Sequence, residues 1–115
     1  MNRIILLLIM VILTVSCSEK KDQKQQSDLE LKMNSIAEGY VKLVLEIGKY
    51  DPLYVDAYYG PKEWKPKEEN LQFDSTAHDK LINTADSLLN ELELLSEFSA
   101  TELETFRYRY LYKQL

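Results

Sequence analysis

From Leu29 to Ile47, and again from Leu81 to Leu95, the apolar residues of this chain recur at steps of three and four, while no stretch alternates at steps of two. An α-helix turns once in about 3.6 residues, so the first spacing stacks Leu29, Met33, Ile36, Tyr40, Leu43, Val44 and Ile47 on one face. The second does the same for Leu81, Ile82, Ala85, Leu88, Leu89, Leu92 and Leu95. The expected fold is therefore all-α, a small antiparallel bundle or hairpin of about four helices.

Local signals set the expected boundaries. Ser27-Asp28-Leu29-Glu30 has the form of a capping box, which predicts a helix start at Ser27, and Gly48 is a natural stop. Gly39 lies inside this pattern at a cost of about 1 kcal/mol against alanine, which implies close approach of another element. Asp51-Pro52 predicts a short second helix over Leu53 to Tyr59, broken by Gly60-Pro61. Residues 61 to 73 read as a loop with at most a turn at Lys62 to Trp64. A third helix is expected from Asp74 or Ser75. Ser99-Ala100-Thr101-Glu102 reads as a second capping box after a helical turn of residues 96 to 99, with Phe98 stapled on Leu103. It opens a fourth helix carrying Leu103, Phe106, Tyr110 and Leu111, a pattern still running when the sequence ends at Leu115.

The amino terminus has a different character. Arg3 is followed by ten apolar residues, Ile4 to Leu13, and then by Leu13-Thr14-Val15-Ser16-Cys17. A membrane-spanning helix needs about 20 apolar residues, so the run has the length of an export signal. Its end resembles the bacterial lipobox, in which small residues precede a cysteine that takes a diacylglycerol before cleavage on its amino side. Ser16 and Val15 fit that pattern; Thr14 stands where leucine is usual. The resemblance implies residues 1–16 as signal peptide, Cys17 as the lipid attachment site and the bacterial envelope as location. Ser18 rather than aspartate after the cysteine points to the outer membrane over the inner.

Ser18 to Gln26 contains no apolar residue, and with Cys17 it is expected to form a polar tether, 17–26, ahead of a helical segment, 27–115. Without Arg3, 13 basic residues face 19 acidic ones. No basic stripe stands out, so nucleic acid is excluded as a partner, because phosphate binding is driven by clustered Lys and Arg. Lys20, Lys21 and Lys24 alternate with Glu19 and Asp22, as in a solvated linker.

No catalytic residue is assigned. The single histidine, His78, cannot supply the three or four ligands of a metal site, and it reads as a surface residue of the third helix's first turn. The single cysteine is the lipid site, and the carboxylates from Glu91 to Glu104 fall on solvated helical faces. The densest unusual stretch runs from Tyr50 to Trp64. Tyr54, Asp56, Tyr58, Tyr59 and Trp64 are its candidate interface or ligand contacts, since tyrosine and tryptophan present an apolar body with a hydrogen-bonding tip.

Val55-Asp56-Ala57-Tyr58-Tyr59-Gly60-Pro61-Lys62-Glu63-Trp64, preceded by a helix and Asp51-Pro52, resembles the amino-terminal region of a poorly characterised family of bacterial proteins of several hundred residues. In that family a YVDAYYGP turn is followed by a leucine-rich helix and a basic helix, similar to Leu81–Leu95 and Phe106–Leu115. Its longer members resemble zinc metallopeptidases, with a His and Glu motif downstream. No such motif stands in this chain. The resemblance therefore implies no cofactor in this segment, zinc only in a C-terminal part beyond it, and an amino-terminal helical role whose partner is that C-terminal domain; the competing expectation is a complete small helical lipoprotein that binds an envelope protein through its apolar and aromatic faces without catalysis.

Overall fold

The computed structural model describes residues 2–67, 72–96 and 101–115, with side chains described from Gln23 onward. It is all-α. Among the described residues there are three helices, α1 (Asn2–Ile47), α2 (Ser75–Glu93) and α3 (Glu102–Gln114), and one 3-10 turn at Lys62–Trp64 between α1 and α2.

α1 corrects the expected helix start at Ser27. It is one continuous helix of 46 residues, within which Ser18 to Gln26 are helical. Neither glycine nor proline occurs before Gly39, and Glu, Lys and Gln are strong helix formers, so nothing in the polar stretch stops propagation. The Ser27–Glu30 pattern lies inside the helix and caps nothing. Gln26 is half-buried, and its amide donates to the Glu104 carboxylate of α3 at 2.5 Å. Among the described residues no helix is long and apolar enough to cross a membrane.

Contacts fix the directions of the helices. Leu88 lies on Gly39 and Lys80 reaches Glu46, so α2 runs antiparallel to α1. Arg107 donates to Asn34 at 2.7 Å and the Tyr40 hydroxyl meets Gln114 at 3.5 Å, so α3 runs back alongside α1 in its direction. The core between them holds Leu29, Met33, Ile36, Leu43, Leu88, Leu92, Leu95 and Leu111. Tyr40, Ile47, Leu81 and Ala85 pack against it. Gly39 has the predicted role: a Cβ there would stand 2.5 Å from Leu88 Cδ2.

The short helix expected over Leu53 to Tyr59 is absent. The Asp51 carboxylate accepts from the Leu53 amide at 3.0 Å and its carbonyl from the Tyr54 amide at 3.0 Å, closing a single turn. Beyond it Val55 lies against Gly48, which holds the chain extended. α2 starts as expected, with Asp74 as N-cap accepting from the Ala77 amide at 2.8 Å. α3 starts later than the Ser99 box implies: Thr101 and Glu104 form the reciprocal capping box. Phe98 and Ser99 lie outside the described residues.

That cap also rotates α3. Glu104 is buried, and its carboxylate takes bonds from the Thr101 amide at 2.8 Å, the Thr101 hydroxyl at 2.9 Å and Gln26. The inward face of α3 is therefore Glu104, Tyr108, Leu111 and Leu115, and the expected core residues Leu103, Phe106 and Tyr110 are exposed. Ile82 of α2 is likewise half exposed to solvent.

Candidate functional site

The loop between α1 and α2 folds back over the carboxy-terminal end of α1 and encloses an open cavity of about 300 Å³. Gly48, Lys49, Val55, Asp56, Tyr58 and Lys65 are among its walls. The loop keeps its shape through Tyr58, whose hydroxyl donates to the Pro61 carbonyl at 3.2 Å. Gly60 is required for that closure, since a Cβ there would lie 2.3 Å from the Tyr58 oxygen. The 3-10 turn follows, with the Trp64 amide donating to the Pro61 carbonyl at 3.1 Å.

Lysines stand over the aromatic rings of this region. Lys42 Nζ is 5.5 Å from the Trp64 ring, Lys65 Nζ 5.7 Å from Tyr58, and Lys49 Nζ 5.9 Å from Tyr50. Contacts of this kind contribute about 0.5–1 kcal/mol where exposed. Tyr50 also meets Phe73 edge-on at 5.4 Å, which ties the loop's two ends.

Of the residues expected at a site, Asp56 and Tyr58 line the cavity. Tyr54 is half exposed, Tyr59 is 96% exposed, and Trp64 sits to the side beneath Lys42. Cys17 falls within α1, on the stretch that precedes the bundle. Sequence reasoning missed Lys42, Lys49 and Lys65. Their positions opposite rings follow from the loop's path, which no local pattern announces.

The electrostatics centre on Glu46, which accepts from Lys49 at 3.0 Å and Lys80 at 2.9 Å. Burial pushes its carboxyl up, but the bonds from Lys80 and Lys49 outweigh it and hold the group below the usual carboxylate range. The Tyr58 phenol is raised, first by desolvation and then by Glu63 and Glu38. His78 is exposed, pairs with Asp79 at 3.1 Å and stands edge-on to Phe73 at 6.2 Å. Among the described residues no group of three or more His, Cys, Asp or Glu could hold a metal ion.

The walls of the cavity include one aromatic ring, Tyr58, the Lys49 and Lys65 side chains and the Asp56 carboxylate. No nucleophile with an adjacent base lies among its walls. Compared with known proteins, the chain matches no family model, no curated protein and no solved structure.

Proposed function

We propose that this chain is a lipid-anchored protein of the bacterial envelope, more suited to the outer than the inner membrane, acylated at Cys17. In this reading the helical segment is a non-catalytic support that forms the amino-terminal part of a larger metallopeptidase-like protein. Any zinc belongs to the part beyond this segment. The observation that carries the reading is the position of Cys17, the sole cysteine, directly after a ten-residue apolar run and a small residue. The resemblance of Val55–Trp64 to the amino-terminal region of the longer proteins supports the second half.

α1 gives the support a definite geometry. From Cys17 to Ile47 the helix rises about 1.5 Å per residue, or roughly 45 Å, a length that supports a role in holding the aromatic loop away from the lipid attachment point. Two or three acyl chains, at about 0.8 kcal/mol per buried methylene, hold such a protein firmly. An alternative is a self-sufficient binding module acting through the loop cavity. The cavity beside Asp56 and Tyr58 favours it.

Metabolic labelling with palmitate tests the anchor: wild-type protein takes the label and Cys17→Ala does not. Label retained by Cys17→Ala overturns it. Reading the coding sequence past the Leu115 codon separates the two roles, since a His and Glu motif in frame supports the larger protein and an immediate stop supports the module.

A further inference from the structure

The described residues between Ile47 and Ser75 add nothing to the core, and connections longer than about 12–15 residues are most often functional. All three prolines of the chain fall here: Pro52 and Pro66 line the loop cavity, and the Pro61 carbonyl accepts from the Tyr58 hydroxyl. Proline fixes φ, so this loop has less conformational freedom to lose on closing. A cavity shaped in advance in this way binds its ligand at a lower entropic cost.

Two of the charged groups in its walls are uncommitted. The Asp56 carboxylate and the Lys65 ammonium both line the cavity, yet among the described residues they form an ion pair neither with each other nor with a third group. Lys65 stands over the Tyr58 ring, and Lys49, the other cation of the walls, is paired with Glu46 at 3.0 Å. Opposite charges that share a cavity but stay beyond the roughly 4 Å of an ion pair leave room between them for a ligand carrying both.

α1 strengthens the acidic side. Leu45 and Gly48, at its carboxy-terminal end, line the cavity, and the Leu45 carbonyl accepts no backbone amide because the Lys49 amide turns to the Glu46 carbonyl at 3.2 Å. The carboxy-terminal end of a helix carries partial negative charge and favours a cation. Pro52, Val55, Ala57 and Pro66 supply apolar wall. The volume of about 300 Å³ is at the small end of ligand pockets, and the smallest zwitterion with an apolar body is an α-amino acid. We propose that the loop cavity binds a free α-amino acid with a small apolar side chain, its ammonium group toward Asp56 and the end of α1, its carboxylate toward Lys65. The assignment deepens the reading of the chain as a binding module and rests on it.

Full-length protein in detergent is titrated calorimetrically with glycine, L-alanine, D-alanine, L-valine and L-leucine, and then with the N-acetyl and amide derivatives of the tightest binder. At least one amino acid is expected to bind, and each derivative, lacking one charge, to bind at least about tenfold more weakly. Asp56→Asn and Lys65→Gln change exposed residues outside the core, so thermal circular dichroism should show a nearly unaltered melt. Each is expected to weaken binding of the amino acid by at least about tenfold. No binding of any of these amino acids, a derivative that binds as well as its parent, or an affinity indifferent to either substitution overturns the assignment. The module reading fails separately, on open coding sequence with a His and Glu motif past the Leu115 codon.

Discussion

Replacing Glu104 by alanine removes the bond that fastens α3 to the part of α1 that lies beyond its apolar face. One carboxylate oxygen of Glu104 accepts from the Thr101 amide, the Thr101 hydroxyl and the Gln26 amide. Loss of a helix cap costs about 1 kcal/mol. A hydrogen bond to a charged group contributes about 1.5–3 kcal/mol. Because the three bonds share one oxygen they do not add fully, and a loss of about 2–3 kcal/mol is expected. For a chain of this size each kcal/mol moves the melting temperature by about 4–8 °C, so a fall of at least 8 °C is predicted, read by thermal circular dichroism of the full mature protein. Gln26→Ala should cost about 1 kcal/mol, and the double variant should show a coupling of at least about 0.5 kcal/mol. Strict additivity would refute the reasoning, because it would mean that residue 26 does not touch α3 and that the polar stretch is a free tether.

Gly39→Ala pits about 1 kcal/mol of helix propensity against overpacking of the buried Leu88, which costs about 1–3 kcal/mol. Net destabilisation is expected, and in a Leu88→Ala background the same change should stabilise; urea melts decide both. Leu92, with no exposed surface, should lose about 2–5 kcal/mol as alanine by the same measurement. Acid should weaken the fold through Glu104 and Glu46, both held below the usual carboxylate range. At Glu104 the Thr101 amide bond is the leading cause; at Glu46 the Lys80 and Lys49 bonds overcome an opposing burial effect. A carboxyl lower in the folded than the unfolded state stabilises above its unfolded value, and that contribution is lost as pH falls through the folded value. Glu46→Gln with Glu104→Gln should therefore flatten the acid limb of a stability profile.

Much of this fold is legible in the helical periodicity of the sequence. The stripes from Leu29 to Ile47 and from Leu81 to Leu95 supply most of the core, and Gly39 marks where Leu88 comes close. Three features were hidden for physical reasons. Local capping chemistry at Ser27 and Ser99 resembles a start signal, yet good helix formers carry α1 through the first, and Thr101 with Glu104 provides a competing cap near the second. The face α3 turns inward differs from its apolar pattern because a buried carboxylate, invisible to an apolar count, sets its rotation. Over Leu53 to Tyr59, the Asp51 turn and the contact of Val55 with Gly48 override a plausible cap. At the candidate site, the aromatic cluster singles out Asp56 and Tyr58, which line the cavity, but the lysines over the rings come from distant positions and a loop path that tertiary packing alone decides.

The lipid anchor proposed at Cys17 is the central claim about where this protein works. The intact mass of the mature protein purified from bacterial membranes tests it most directly. A chain beginning at Cys17 and carrying diacylglyceryl and acyl groups is predicted. A chain that still begins at Met1, or one with a free Cys17 thiol, would contradict it.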